Sequence, residues 1–454
     1  MSSSSFRTVC FATPVIRQVA LIETPSTKAD ITCTRFVVLR RFINRTLKKD
    51  STILLYFSQL VIDFCTGFDY RPPMIYRTAK INTQETEVIE KIETVRRKLR
   101  HNLAAPRRWM GLLRRNTFAR AIQGSNSIEG YNVTLDDAVA AVEGEEPLDA
   151  TTEAWLAVAG YRTAMTFVLQ LAKDKSFQYS EGFLRSLHFM MLQHDLAKNP
   201  GNWRPGTIYV REEASGEIVY EGPEVELVPS FVAELIQSLN SEDFPHSLIK
   251  GAMAHLNLVM IHPFSDGNGR MARCLQSLVL AREGILEPEF ASIEEYLGRN
   301  TPAYYAVLGD TSVGEWSPKN STRKWIQFNL TAHYRQAMTL LNRTTVMDLL
   351  WQEMETLVKQ AGLPERVLNA VCDGAIGYRV RNAGYRKLAN LNDILASRDL
   401  RAAVASGLLM PIGERRGRIY TGAPHTRAIF ESLRREHVKP VPDPFAPEQL
   451  MLPG

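Results

Sequence analysis

The sequence predicts a mainly α-helical protein with one β-hairpin in its middle and a second, smaller domain near its C-terminal end. Three observations lead to this prediction. From residue 83 onward, apolar residues recur at spacings of three and four, the period of an amphipathic helix. A β-rich pattern interrupts the helices at residues 207–220 and is typical of a hairpin. After residue 346, the chain ends in a helix followed by two short strands.

The composition is that of an ordinary globular protein, with 45% hydrophobic and 23% charged residues among 454. This length exceeds what one compact core usually holds, so we expect two or three domains. The formal net charge of +5 suits a protein that contacts phosphates or nucleic acid, but it requires neither. The five cysteines are an odd number without C-x-x-C spacing, which argues against a disulfide framework and favours the cytoplasm.

The first 73 residues differ from the rest and form an atypical extension. Their apolar run at residues 53–65 is shorter than the ~20 residues of a membrane-spanning helix and contains Asp63. We therefore expect no membrane contact. Helical patterning begins soon after Met74, and two explanations stay open: translation starts at Met74, or residues 1–73 are a disordered extension.

The rest of the chain divides into four regions by its residue patterns. Residues 74–175 are predicted to form a helical region, and residues 176–345 a core domain that contains the hairpin. Residues 346–437 are predicted to fold as a separate small domain. Residues 438–454 are rich in proline, and we expect a flexible tail there.

The segment HPFSDGNGRMAR at residues 262–273 combines several groups that suit phosphate chemistry. Gly267 and Gly269 flank Asn268, and glycines permit positive φ and close approach of a ligand to the backbone. Because a helix is predicted to begin here, its first backbone N–H groups can bind an anion. Arg270 and Arg273 are three residues apart on that helix, so both can hold a polyphosphate from one side.

Two further side chains in this segment suit catalysis. Asp266 offers a hard oxygen ligand for Mg²⁺, the usual metal of phosphate chemistry. His262 carries an imidazole, which titrates near neutral pH and can act as a base. Each group alone is also compatible with a structural role, such as a helix cap or a turn. Their combination within twelve residues indicates phosphoryl or nucleotidyl transfer.

The same segment resembles the Fic signature HPFx[D/E]GNGRxxR and matches it at every specified position. The resemblance spans about residues 102–334 and implies a Fic-type helical bundle with a β-hairpin flap. It also implies a protein adenylyltransferase, which moves AMP from ATP to a Ser, Thr or Tyr hydroxyl of a protein with Mg²⁺ as cofactor. By this resemblance His262 is the general base and Asp266 holds Mg²⁺. The residues that it implies for the nucleotide-binding loop are Phe264 as a buried anchor, Ser265, Asp266, Gly267, Asn268, Gly269, Arg270 and Arg273.

Two other segments extend the resemblance. GNWRPGTIYV and the hairpin after it are similar to the Fic flap, which pairs with the backbone of a target protein as an added β-strand. This likeness implies that Ile218, Val219 and Tyr220 contact the target. Tyr304 and Tyr305 resemble the tyrosine pair that lines the adenine pocket in many relatives, although ordinary core packing explains such a pair equally well.

The sequence SNSIEG fits the Fic inhibitory pattern [S/T]xxxE[G/N] through Ser125, Glu129 and Gly130. The resemblance implies that Glu129 pairs with Arg273, which then cannot hold the γ-phosphate of ATP. Replacing Glu129 by glycine is expected to raise activity. Some relatives use the same glutamate to remove AMP from targets, so de-AMPylation stays open as a second activity.

The C-terminal domain resembles a winged helix-turn-helix. Residues 396–405 would be the recognition helix, and the wing would carry basic side chains. Such positions suit contact with DNA, whereas many domains of this kind dock proteins or form dimers, which we favour here. The second functional hypothesis is therefore a DNA-binding transcriptional regulator whose Fic domain senses a nucleotide. A homodimer and modification of the chain by itself also stay open. The basic residues in question are Arg398, Arg415, Arg416 and Arg418.

Overall fold

The computed structural model describes residues 75–104, 107–211, 215–241, 243–282, 284, 286, 288–414 and 418–446. The predictions for residues 1–73, for a start at Met74 and for Arg415 and Arg416 lie outside this part of the chain. None of the helices within these ranges has the length and apolar character needed to cross a membrane.

The region before the hairpin is helical, as predicted. Thr134, Thr151 and Ser180 each accept a hydrogen bond from the backbone N–H three residues on, which caps the helix that follows. The helices of this region are α1 (Thr83–Ala104), α2 (Met110–Ile128), α3 (Leu135–Glu143), α4 (Thr152–Leu171) and α5 (Glu181–Leu192).

The hairpin consists of two short antiparallel strands, β1 (Tyr209–Arg211) and β2 (Ile218–Glu221). Val210 lies opposite Tyr220, and the register changes between Val210 and Arg211. The ends of this hairpin lie within two residues of the predicted range 207–220. Tyr220 is buried in the core, which fixes one face of the hairpin against the helices.

Three helices follow the hairpin and complete the core around the predicted phosphate-binding loop. They are α6 (Val228–Asn240), α7 (Ser247–Ile261) and α8 (Asn268–Arg282). Leu258 and Leu275 are fully buried in one hydrophobic cluster with Leu187 of α5. This cluster also contains Phe264, so the loop between α7 and α8 is anchored in the core.

A single long helix connects the core domain to the C-terminal region. After α9 (Glu294–Arg299) and α10 (Thr301–Ser312), α11 runs over Arg323–Gln360 without a break. Trp325 is buried in a cluster with the core domain, and Trp351 is buried in a second cluster with the C-terminal region. The domain boundary predicted between residues 345 and 346 therefore needs correction, because the helix passes straight through it and packs on both sides.

The C-terminal region contains four further helices and a three-stranded sheet. Strand β5 pairs antiparallel with both neighbours, in the order β3-β5-β4. The predicted succession of a helix and two strands is present, although α14 already begins at Asp393. That this region is a winged helix-turn-helix stays a prediction. Its elements are α12 (Leu368–Ile376), β3 (Val380–Arg381), α13 (Asn382–Leu388), α14 (Asp393–Ala405), β4 (Leu409–Ile412), β5 (Ile419–Gly422) and α15 (Pro424–His437).

The segment after α15 runs back to the first helix. The backbone oxygen of Phe445 accepts a hydrogen bond from Gln84 Nε2 on α1 at 3.0 Å, and its ring packs against the core. Pro444 is buried. The prediction of a flexible tail therefore needs correction for residues 438–446, because apolar side chains within this proline-rich segment hold it on the surface of α1.

Candidate active site

The loop between α7 and α8 has the sharp conformation that its glycines suggested. His262 ends α7 with φ of 50°, and Gly267 has φ of 76° just before α8 begins. Asn268 Oδ1 accepts a hydrogen bond from the Phe264 N–H at 2.9 Å, and Asn268 Nδ2 donates to the Phe264 oxygen at 2.8 Å. The Asn268 side chain thus shapes the loop, which leaves the backbone N–H groups at the start of α8 for a ligand.

Phe264 is the buried anchor of this loop. It is fully buried, and its ring stacks on His188 with centroids 3.7 Å apart. The Phe264 side chain therefore lies in the core behind the loop. Exposed Ser265 follows it in the loop.

His188 holds the same loop from α5, and the sequence analysis missed it. Its Nδ1 accepts a hydrogen bond from the Gly201 N–H at 2.9 Å, so its Nε2–H donates to the Asp266 backbone oxygen at 3.0 Å. Burial lowers the pKa of His188 to about 4, which keeps the imidazole neutral. A lone histidine inside a helical pattern carries no sequence signal for this role.

His262 has its imidazole oriented by the backbone. Its Nδ1 lies 3.0 Å from the Val259 oxygen, and since a carbonyl only accepts, Nδ1 carries the proton. The lone pair is then on Nε2, the atom that a base needs. Burial lowers the pKa of His262, so the neutral form prevails at pH 7.

Arg204 links this histidine loop to the base of the hairpin. Its Nε donates to the His262 oxygen at 2.9 Å, and its backbone N–H donates to the Pro263 oxygen at 2.9 Å. The remaining guanidinium nitrogens donate to the oxygens of Gly206 and Pro223 at 2.5 Å. This buried arginine therefore positions the hairpin relative to His262. It stands inside the GNWRPG segment that indicated the flap, which was the available signal.

Asp266, the predicted metal ligand, is bound by a lysine. Lys198 Nζ lies 2.7 Å from Asp266 Oδ2 and 2.8 Å from the Tyr131 hydroxyl. Burial raises the pKa of Asp266, but Lys198 and Arg270 outweigh it and hold this pKa below its ordinary value. The carboxylate is thus charged and only partly exposed. Neither Lys198 nor Tyr131 was identified from the sequence.

Arg270 is a buried guanidinium without a hydrogen-bonded partner. Its side chain is fully buried, and its Nε, Nη1 and Nη2 bond to none of the described residues. Its nearest charged group is Asp266, with Nη2–Oδ2 at 3.8 Å, and its Cζ lies 5.0 Å from the centroid of the Tyr131 ring. Because a buried charge needs partners, this guanidinium indicates an anionic ligand.

Arg273 is held by the predicted inhibitory motif. Its Nη2 lies 2.7 Å from Glu129 Oε1, while its Nε donates to Ser125 Oγ at 2.8 Å and Nη2 donates to the Ser125 oxygen at 2.9 Å. Burial alone lowers the pKa of Arg273, but Glu129 reverses this and raises it. A Cβ at Gly269 would stand 2.3 Å from Glu129 Oε1, so only glycine leaves room for this carboxylate.

The inhibitory motif forms the C-terminal end of α2. Glu129 follows the last residue of α2, and Gly130 reverses the chain with φ of 81°. The Tyr305 hydroxyl donates to the Ile128 oxygen at 3.0 Å. Tyr304 is buried, with its hydroxyl 2.8 Å from His255 Nε2, whereas Tyr305 is 48% exposed. Tyr304 thus belongs to the core, and Tyr305 is the accessible member of the predicted pair.

The hairpin places its three predicted target contacts differently. Ile218 and Val219 are 49% and 45% exposed. Tyr220 is only 7% exposed, and its hydroxyl donates to the Met260 oxygen at 2.5 Å. The prediction that Tyr220 contacts a target is therefore wrong for its side chain, because that face of β2 packs on the end of α7.

Comparisons with known proteins agree with this site. The family model described as Fic/DOC family matches residues 178–280, which include the whole loop. The chain is 28% identical over 285 residues to "Protein adenylyltransferase Fic" of Nematostella vectensis, which covers 60% of this chain and 59% of that protein. It is 34% identical over 106 residues to "Protein adenylyltransferase fic-1" of Caenorhabditis briggsae, covering 22% of this chain and 20% of that protein. The chain thus spans less than two thirds of the length of these curated relatives.

The fold also has a solved counterpart. A Fic family protein from Desulfovibrio desulfuricans superposes with a TM-score of 0.50 and 21% identity, covering 78% of this chain and 99% of that one. At this identity the likeness concerns the fold, and it extends over the mainly helical architecture described above. The family match includes residues 262–273, which form the loop after α7 and the first turns of α8. The chain therefore carries a domain of the Fic/DOC family at residues 178–280.

Proposed function

We propose that this chain is a protein adenylyltransferase that transfers AMP from ATP to a Ser, Thr or Tyr hydroxyl of a protein. The observation that carries the proposal is the buried Arg270 guanidinium, which forms no hydrogen bond with any described residue. It lies in the same segment as His262, whose Nε2 is free to accept a proton. The Arg270 guanidinium can bind an anion, and the His262 imidazole can accept a proton from a hydroxyl. The names of the relatives in sea anemone and nematode support the same activity.

The transfer balances with the groups at this site. His262 Nε2 accepts the proton of the target hydroxyl, whose oxygen attacks the α-phosphorus of ATP. A new P–O bond forms to the target oxygen, and the bond from the α-phosphorus to the oxygen bridging to the β-phosphate breaks. Pyrophosphate leaves with that electron pair. Arg270 and the N–H groups at the start of α8 stabilise the negative charge that develops on it.

The residues around Asp266 fit a magnesium ion held mainly by the substrate. Within the described ranges, no cluster of three or more His, Cys, Asp or Glu side chains suits a metal. Mg²⁺ commonly binds through one or two carboxylates together with substrate phosphates and water, and Asp266 supplies one such carboxylate. When bound, the ion would neutralise charge on the phosphates. In the structure the Lys198 ammonium group pairs with Asp266, with Nζ 2.7 Å from Oδ2, so the ion would have to displace this ammonium group.

Auto-inhibition belongs to the same proposal. Arg273 cannot pair with Glu129 and hold the γ-phosphate of ATP at the same time. The pair is nearly enclosed, because the Arg273 side chain has no exposed surface and that of Glu129 is 19% exposed. At such burial a charge-assisted hydrogen bond contributes about 1.5–3 kcal/mol, enough to limit productive ATP binding.

Docking of the target is assigned to the exposed edge of the hairpin. Ile218 and Val219 present apolar side chains beside the loop that carries His262, and Arg204 ties the two together. An extended segment of the target can add to this hairpin as a strand. The C-terminal region serves a protein partner or a second copy in this proposal. DNA binding through Arg398 is the alternative, and a cytoplasmic site of action rests on cysteine usage alone.

The test is transfer of label from α-labelled ATP with Mg²⁺ to protein, either to the chain itself or to proteins of a lysate. Four forms are compared: wild type, Glu129→Gly, His262→Ala and the double variant. Strong labelling by Glu129→Gly, weak labelling by wild type and none by either His262→Ala form supports the proposal. Transfer of γ-label or of another nucleotide in place of AMP would overturn it.

A further inference from the structure

A second basic cavity lies away from the candidate active site, where the C-terminal region packs on the Fic domain. Its volume is about 350 Å³, and its walls come from α2, α9, α11, α12, α15 and the segment after α15. The cations that line it are Arg120, Arg299, Arg343, Arg434 and Lys439. No feature of the proposed transfer reaction uses these five side chains.

The cations in this cavity outnumber the carboxylates beside them. Glu431 lies at the mouth, with Arg434 Nη1 at 3.4 Å from its Oε1. Glu295 lies beneath, where Arg343 Nη2 and Arg299 Nη2 approach its Oε1 at 2.8 Å and 2.7 Å. Five cations against these two carboxylates leave a charge of +3. The excess is local, because the whole chain carries only +5.

The guanidinium groups are close enough to repel one another. Burial lowers the pKa of Arg299, and the charges of Arg120, Arg343 and Arg434 lower it further, against the opposite effect of Glu295. Arg120 Nε is buried and has no hydrogen-bond partner among the described residues. Like charges gathered around a cavity are destabilising unless an anion joins them.

We propose that this cavity binds a small phosphorylated molecule that carries at least two negative charges. Clustered guanidinium groups match phosphate oxygens through paired hydrogen bonds, and an excess of three positive charges selects for more than one negative charge. Val346, Phe430 and Val441 add an apolar wall for the organic part of the ligand. The volume lies at the lower end of the range for small-molecule sites, about 300–1,000 Å³.

The site would join two parts of the chain through one ligand. Arg120 belongs to α2, which ends at the inhibitory Glu129, and Arg434 belongs to α15 of the C-terminal region. Glu129 comes nine positions after Arg120, which corresponds to about 13.5 Å along a helix. The proposal concerns binding alone and does not rest on the transfer activity.

The test measures binding of inorganic pyrophosphate to the full chain by titration calorimetry at low salt. The cavity variant is Arg434→Gln with Lys439→Gln, since both side chains are exposed and tolerate substitution. The matched control is Arg427→Gln with Arg435→Gln, two exposed arginines of the same helix that do not line the cavity. All proteins keep the loop at residues 262–273, so any pyrophosphate bound there contributes equally.

Wild type and control are expected to bind pyrophosphate at the cavity with affinities within about twofold. The cavity variant is expected to lose at least tenfold, because it lacks two of the cations that would hold the anion. Val441→Asp, which adds a carboxylate at the wall and keeps every cation, should cause a similar loss. Equal binding by cavity variant and control would overturn the proposal, whether both bind as wild type does or both are weakened. An unchanged affinity in Val441→Asp would overturn it as well.

Discussion

Removal of the Glu129 carboxylate should raise activity and lower stability at once. Glu129 Oε1 lies 2.7 Å from Arg273 Nη2, in a pair whose arginine side chain has no exposed surface. Arg273 keeps two other hydrogen bonds, to Oγ and the backbone oxygen of Ser125, so Glu129→Gly leaves the guanidinium in place but unpaired. The freed Nη2 and the already unbonded Nη1 can then hold the γ-phosphate.

The magnitude follows from one charge-assisted hydrogen bond at a largely buried site. Such a bond contributes about 1.5–3 kcal/mol, and the 19% exposure of Glu129 places it below the ~3–5 kcal/mol of a fully buried broken pair. Because about 1.4 kcal/mol corresponds to a factor of ten, kcat/KM for ATP should rise roughly 10–150-fold. The free energy of unfolding without ATP should fall by about 1.5–3 kcal/mol.

The assay combines steady-state AMP transfer at varied ATP concentration with denaturant unfolding of the same preparations. Glu129→Gln tests the charge separately, because its amide oxygen can still accept from Arg273. We expect it to fall between wild type and Glu129→Gly in both measurements. Glu153→Gln, an exposed glutamate at the start of α4, is the control and should leave both unchanged.

The reasoning would be refuted if Glu129→Gly became less stable while its kcat/KM for ATP stayed at the wild-type value. The pair would then contribute to folding without competing with the nucleotide. A gain in activity with no loss of stability would refute the magnitude derived from burial.

Three further predictions concern the neighbouring residues. Lys198→Met should strengthen Mg²⁺ binding in the presence of ATP about tenfold, because Asp266 no longer has to release an ammonium group. An Mg²⁺ affinity that calorimetry finds unchanged would contradict this prediction. His188 has a folded-state pKa of about 4 against about 6.5 unfolded, so its contribution to stability is complete above pH 6.5 and is lost as pH falls towards 4. The free energy of unfolding should fall by about 3 kcal/mol over this pH range. In urea titrations between these pH values, the stability of His188→Gln should therefore depend less on pH than that of wild type. Parallel pH profiles for the two proteins would contradict the lowered pKa of His188. Ile218→Asp should reduce labelling of target proteins without changing ATP affinity, because this side chain is exposed on the hairpin. Tyr220→Phe should mainly lower the melting temperature, since it removes a buried hydrogen bond. Target labelling that depends on Tyr220 and not on Ile218 would contradict the assignment of Ile218 to the target-facing side of the hairpin.

The conformation of the loop within residues 262–273 could be predicted from the sequence because its residues are contiguous. Two glycines, a helix start, one aspartate and two arginines determine the local backbone and its charge without reference to distant elements. The hairpin could be predicted for the same reason. The pairing of Glu129 with Arg273 was predicted only from the resemblance to the Fic pattern. The two residues are 144 positions apart, and no local sequence pattern indicates their contact.

The tertiary structure alone decided which faces meet. Alternation along β2 puts Val219 and Tyr220 on opposite sides, but only the packing of β2 on α7 determines that Tyr220 is the buried one. Lys198 reaches Asp266, and His188 stacks on Phe264, because α5 and the segment after it lie against the loop. Local patterns describe one element at a time, whereas these contacts depend on how separate elements fit together around a common core.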